Sequence, residues 1–313
     1  MLSAARPAPV PLDGREPQRE LDGFRTDGLY LGADHGRNER RTWVVIVICA
    51  VTLVAQLAGG AMFRSMALTA SGLHMAAHVA VLLTAAGAYW LARRLAGDPR
   101  FAFGAGKVGY LAGFANAVVL AITAVTIVVE SLHRLAAPEP VDYDSAMPLA
   151  AAGLVVTLIC VWLLRPAHHG HGHDEDGDLN LSAAHLHLTA DAAISALTLA
   201  GLAAGRALGW SFADPLAGLI GAGLVAQFAW RLLRKAGAAL LDVNPSPALT
   251  QEIRKRLEAG GARVLDLHLW RLGPGHHAAI VVVAEDPPRS AEAYRRRLAG
   301  LAGLSHLTVE VRN

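Results

Sequence analysis

The sequence predicts an all-α domain of six transmembrane helices followed by a small α+β domain, and three observations carry that reading. Six stretches, 43–63, 65–92, 108–129, 145–164, 179–205 and 207–230, are uncharged or hold a single charge. Each is long enough to cross about 30 Å of hydrocarbon, which takes roughly 20 apolar residues in a helix. Charged residues make up only 17% of the 313-residue chain, against roughly 25% in an ordinary soluble domain, and the deficit falls in those blocks. From about residue 240 onward the charges interleave with apolar positions, as they do where water covers one face.

Residues 1–42 form a polar tail rich in Pro, Arg and Gly. It has no apolar h-region before its basic cluster, so no cleavable signal peptide is expected. The transmembrane domain spans 43–235. Its orientation follows from loop charge, because an excess of Lys and Arg marks the cytoplasmic side. Arg37, Arg40 and Arg41 precede helix 1, Arg93, Arg94, Arg100 and Lys107 join helices 2 and 3, and Arg231, Arg234 and Lys235 follow helix 6. The opposite loops are poorer: Arg64 alone, then Arg134 beside Glu139, Asp142 and Asp144, then Arg206. Both termini and the 166–178 loop are therefore predicted to face the cytoplasm.

The domain at 240–313 opens with helical spacing after a Ser-Pro start at 246–247. A strand at 263–271, a Gly-Pro-Gly turn at 273–275 and a strand at 277–284 follow. A helix over 289–302 and a strand over 306–312 complete an αββαβ order, a sheet with helices on one face. A core of about 70 residues is small, and pairing with a second copy would help it. The formal net charge of +2 lacks the clustered basic face of a nucleic-acid binder, so no nucleic-acid partner is expected. Cys49 and Cys160, the only two cysteines, lie in separate apolar runs with no CxxC. They read as small core residues, with neither a disulfide nor a thiolate zinc knuckle expected.

Ionisable side chains inside a membrane cost about 2.5–3.5 kcal/mol each at mid-helix, so each one is a functional candidate. Helix 2 carries His74 and His78 in SGLHMAAH, and helix 5 carries His187 and Asp191 in HLHLTAD. A spacing of four places both members of a pair on one helix face, about 6 Å apart along the axis. Two such faces together offer three imidazoles and one carboxylate, the ligand set of a four-coordinate transition-metal site. Any single one of these histidines could instead be a core residue bonded to a neighbouring helix; two independent four-spaced pairs argue for the site. HMAAH lacks the glutamate of a zinc-protease HExxH helix, and no base or nucleophile stands beside the pairs, so no enzyme activity is expected.

His185 points about 200° away from His187 and reads as an interfacial or supporting residue. Gln56, Asn116 and Glu130 are expected in structural roles, and Asp214 before Pro215 as the N-cap of helix 6. Gly109 with Gly113 and Gly201 with Gly205 permit close helix packing. The loop PAHHGHGHDEDGD at 166–178 holds His168, His169, His171 and His173 before a run of acids, a composition that binds metal loosely and exchanges it fast. His268, His276 and His277 are weaker candidate ligands in the C-terminal domain, with His306 as a further histidine there.

These residues resemble the cation diffusion facilitator family of divalent-metal transporters. The likeness runs from about residue 36 onward and rests on SMALTASGLHMAAH, FAFGAGKVGYLAGFANA, ESLHRL, the His-rich loop, HLHLTADAAISAL and the DP before helix 6. It implies a C-terminal domain of metallochaperone-like, ferredoxin-like type. It also implies a homodimer in the lipid of the cell inner membrane that exports a cytoplasmic metal ion in exchange for protons, with no permanent cofactor. NERRTW at 38–43 and DLHLWRLGPGHHAAIV at 266–281 are similar to the bacterial cobalt/nickel efflux branch. Zinc-transporting members usually end the helix 2 motif in Asp, where this chain has His78. They commonly have an Asp where Ser71 stands, and the branch's N-terminal His cluster is reduced here to His35. Three imidazoles and a carboxylate suit Co, Ni or Zn and exclude Mg and Ca, which want oxygen ligands. A membrane metal sensor that binds without transporting is the alternative reading.

Overall fold

The computed structural model describes residues 35–63, 66–95, 97–137, 143–165, 179–210 and 212–312; side chains at 35, 59, 60, 63, 66–74 and 77 lie outside that description. Among the described residues six long helices lead the chain: α1 (His35–Phe63), α2 (Met66–Leu95), α3 (Val108–Ala136), α4 (Tyr143–Leu163), α5 (Leu179–Leu208) and α6 (Ala213–Leu240). Five of them, all but α2, are long and apolar enough over their described residues to cross a membrane. In hydrocarbon every backbone N–H and C=O must be satisfied within the segment, and a helix does this. Side-chain hydroxyls follow the same rule: Thr52, Thr84, Thr123, Thr126 and Thr157 each donate to the carbonyl four residues back at 2.9–3.0 Å.

The helices overrun the apolar stretches. The first begins at His35 rather than at 43, so Arg37, Arg40 and Arg41 lie in its first turns, and α6 runs on to Leu240 through Arg231, Arg234 and Lys235. Hydropathy measures the hydrocarbon-compatible part of a helix, whereas the helix itself continues while its backbone bonds are worth more than solvation of the free groups.

The helical domain has two cores that share α5. Val45 and Cys49 of α1, Met75, Leu82 and Ala85 of α2, Cys160 of α4 and Leu181, Ala184 and Leu188 of α5 form one. Tyr110, Ala117, Leu120 and Ala124 of α3, Ala183 and Ala190 of α5, and Val225, Ala229, Leu232 and Ala236 of α6 form the other. Burial on two faces makes α5 the helix around which the rest pack. The predicted small-residue pairs lie at close approaches. Gly113 sits against Leu179, and Gly205 has room for no side chain beside the ring of Tyr143.

Asp214 corrects one expectation. The N-cap of α6 is Phe212, and Asp214 lies inside the first turn, where its carboxylate still complements the positive end of the helix dipole. Asp214 Oδ2 stands 3.7 Å from Arg134 Nη1, which also pairs α3's Glu130 through Nε at 2.8 Å. At the same end of the bundle Arg206 pairs with Asp144 at 2.8 Å.

The C-terminal domain follows the predicted order: α7 (Pro247–Glu258), β1 (Arg263–Gly273), β2 (His276–Ala284), α8 (Ala291–Leu298) and β3 (Leu304–Arg312). Ser246 caps α7 by accepting the Leu249 N–H at 3.1 Å, with Pro247 opening the helix, and Ser290 caps α8. The sheet order is β1-β2-β3, with β1 and β2 antiparallel and β2 and β3 parallel. The β1–β2 turn passes through Gly275 at φ 73°, a conformation glycine adopts without a Cβ penalty. Ile253 and Leu257 of α7 and Tyr294 and Leu298 of α8 pack with Val264, Leu269, Val281, Val283 and Val309 in one core. β1 is less regular than simple alternation predicts: a register shift between Val264 and Asp266 inserts one residue, and side-chain parity inverts beyond it. Val264 and Leu269 therefore share the core side while Leu265 is exposed.

Candidate metal site among the helices

The two four-spaced pairs come to the bundle on α2 and α5, which the shared core holds side by side. His78 is 3% exposed, His187 6% and Asp191 8%. His78 Nε2 lies 3.1 Å from Asp191 Oδ2, and the His78 and His187 rings meet edge to face with centroids 5.4 Å apart. A nitrogen and an oxygen bound to one tetrahedral ion at about 2.0–2.1 Å stand about 3.3 Å apart, so the His78–Asp191 spacing is close to that of two ligands on one centre. His74 lies on α2 one turn before His78, and its side chain is outside the described residues. Among the described residues no group of three or more His, Cys, Asp and Glu side chains meets metal-holding geometry.

Thr157 of α4 is a neighbour the sequence did not single out. Its hydroxyl donates to Gly153 O at 3.0 Å and lies 3.5 Å from Asp191 Oδ2. A lone threonine in an apolar helix carries no periodic signal, and only the α4–α5 packing puts it beside the carboxylate. Another interhelical polar contact has no periodic signal either: Asn180 Nδ2 donates to Ala85 O at 2.8 Å, tying the start of α5 to α2. His185 is half-buried and contributes its carbonyl to the Thr189 hydroxyl at 2.8 Å.

The remaining candidates divide. His168, His169, His171 and His173 lie outside the described residues. His268 is on β1 opposite Ile280, whereas His276 and His277 are at the far end of β2 opposite Gly273 and Arg271. Four residues along a strand is about 13 Å, and adjacent strand residues point to opposite faces, so the structure does not bring these three together. His268 Nε2 pairs with Asp266 Oδ2 at 2.9 Å, His276 Nδ1 with the Ser305 hydroxyl at 2.7 Å, and His277 is buried with Nδ1 3.3 Å from Gly303 O.

The two domains meet through residues of the α2–α3 loop, α3 and the end of α6 on one side and β1 and β3 on the other. Phe103 stacks edge to face on Trp270 and His306, with centroids 5.5 and 5.6 Å away. The buried Arg271 reaches back to α3, its Nη1 3.5 Å from the Tyr110 hydroxyl and its guanidinium 5.8 Å from that ring. Lys107 pairs with Asp242 across the same junction. On the neighbouring helices the buried Glu39 accepts from Arg93 Nη2 at 2.8 Å.

Long apolar helices around buried imidazole and carboxylate side chains, joined to a small α+β domain, are the architecture of a membrane protein. Comparison with known proteins gives the family. Residues 42–241 match the model of the cation efflux transmembrane domain, and the chain belongs to the cation efflux, or cation diffusion facilitator, family. It is a cation efflux transporter. It is 29% identical over 285 residues to the zinc transporter ZitB of Yersinia pestis, covering 88% of each chain. It is 33% identical over 241 residues to ZitB of Escherichia coli, covering 75% of this chain and 74% of that one. The metal cation efflux system protein CzcD of Cupriavidus metallidurans is 28% identical over 293 residues, 90% of each.

Proposed function

We propose that this transporter exports divalent transition-metal ions, cobalt or nickel and also zinc, from the cytoplasm in exchange for protons. It would work as a homodimer in the inner membrane, with α2 as the sixth span, both termini cytoplasmic, a ferredoxin-like C-terminal domain and no enzymatic activity. His74, His78, His187 and Asp191 would carry the ion. The observation behind this is the meeting of His78, His187 and Asp191 in the shelter of α2, α4 and α5.

The chemistry follows from the ligands. An imidazole binds metal only when neutral, so loading the site expels protons, and a reference pKa near 6.5 keeps that exchange within reach of physiological gradients. Facing the cytoplasm the residues take up metal; facing outward, protons compete the metal off the same side chains. Rocking of helices about a midplane site supplies the alternation. A nitrogen-rich set with one carboxylate favours Co, Ni and Zn over Mn, and selection among the three rests on geometry and availability, since affinity alone ranks nickel above cobalt. The name of a Bacillus subtilis relative, a cadmium, cobalt and zinc/H(+)-K(+) antiporter 24% identical over 291 residues, supports the exchange reading.

The test is metal flux into proteoliposomes under a pH gradient, comparing Co, Ni, Zn and Mn for the wild type and Asp191→Ala. Loss of an outer-shell partner alone costs about 10–100-fold in metal affinity, so removing a direct ligand should reduce gradient-driven flux at least that far while the protein stays folded. Binding without flux would favour the sensor, and flux untouched by the substitution would sink the assigned site.

A further inference from the structure

Cys49 of α1 and Cys160 of α4 are 111 positions apart in sequence, yet their sulfurs lie 3.8 Å from each other. Each is 1% exposed, and both are free thiols. Two thiolates bound at about 2.3 Å to one tetrahedral zinc also stand about 3.8 Å apart. The pair therefore already has the spacing of two ligands on one ion.

Its position is equally telling. Cys160 follows Thr157 by three residues, about 4.5 Å along α4, and Thr157 touches Asp191. Cys49 packs into the same core as Leu188, the residue that follows His187 on α5. The thiols are thus about one helical turn from the imidazole–carboxylate cluster, inside the core formed by α1, α2, α4 and α5.

We propose that Cys49 and Cys160 form a second cation site, a dithiolate that takes a thiophilic divalent ion, zinc or cadmium, in passage to or from the His78–Asp191 cluster. Binding converts a divalent cation and two thiols into a neutral metal bis-thiolate and releases two protons to solvent. Neutrality matters here, because the surrounding Val45, Ile46, Leu164 and Leu188 offer no compensation for a net charge. Structural zinc sites close all four positions with protein ligands; two thiolates leave two positions to water, which suits an ion in transit. Soft sulfur ligands also favour zinc and cadmium over harder cations. The part in passage rests on the transport reading, whereas binding at the thiols does not.

The experiment is a cadmium titration of the full-length protein in detergent, followed by ultraviolet thiolate-to-cadmium charge-transfer absorption. The chain has only 2 cysteines, so the band reports this pair. The expected result is saturation at one cadmium per chain, with Cys49→Ser and Cys160→Ser each losing half the band or more and about tenfold or more in affinity. Cys→Ala variants serve if a serine variant is not monodisperse. No band in the wild type, or single variants that keep its affinity, would overturn the site. Asp191→Ala should lose flux and keep the band, so the two readings fail separately. For the role in passage, the cysteine variants should slow cadmium flux more than cobalt flux in proteoliposomes; equal slowing, or none, would overturn it.

Discussion

Gly201 lies where α5 crosses the start of α6, and the substitution Gly201→Ala probes how tightly the site-bearing helix is held. An added Cβ would stand 2.8 Å from Asp214 Cα, 3.0 Å from the Ala213 carbonyl oxygen and 3.1 Å from Asp214 N. All three are backbone atoms, so no side chain can rotate away. Ordinary contact begins near 3.4 Å, so the two helices must part by roughly 0.6 Å or more. Overpacking of that kind costs about 1–3 kcal/mol, against a gain of about 0.8–1 kcal/mol from the higher helix propensity of alanine. Gly223→Ala on α6 is the control, since nothing lies within 4 Å of its added Cβ. Both variants share the propensity gain, so their difference isolates the overpacking. At about 2–4 °C per kcal/mol for a domain of this size, Gly201→Ala should melt roughly 2–12 °C below Gly223→Ala. Thermal unfolding of the detergent-solubilised protein, followed by tryptophan fluorescence, measures it. A Gly201→Ala midpoint at or above that of Gly223→Ala would refute the backbone-contact argument.

Tyr110, 1% exposed, tests what joins the two domains: Tyr110→Ala should cost about 3–5 kcal/mol as a large core deletion. Tyr110→Phe, which removes only a hydroxyl at the 3.5 Å limit of its bond to Arg271, should cost under about 1.5 kcal/mol by chemical denaturation; equal losses would mean that the hydroxyl, not the packing, carries the contact. In the α2–α3 loop, side-chain and backbone hydrogen bonds from Arg100 hold the Asp98 carboxyl down at about 2. A depressed folded-state value contributes stability above the unfolded pKa near 3.9, lost as pH falls through about 2. Arg100→Gln should raise the Asp98 midpoint by carbon NMR titration, and an unmoved midpoint would reject the pairing.

The sequence by itself determined the elements and the chemistry of the central candidates. Apolar runs of spanning length leave helix as the backbone's only self-satisfying form in hydrocarbon, and Ser246-Pro247 marks the start of α7 because capping is a local event. His74, His78, His187 and Asp191 stand out as candidates in the sequence because charge in such runs is costly enough to be rare, and a spacing of four fixes a shared face. Local patterns were silent wherever the outcome depended on which helix packs against which. The dithiol of Cys49 and Cys160, the contact of Thr157 with Asp191, and the seat of Phe103 between Trp270 and His306 join residues far apart in the chain. The β1 bulge, which moved Leu265 to the surface, is a matter of pairing register with β2. In each case periodicity names the face a side chain occupies, while the neighbour across that face is decided by the packing of the whole bundle or sheet.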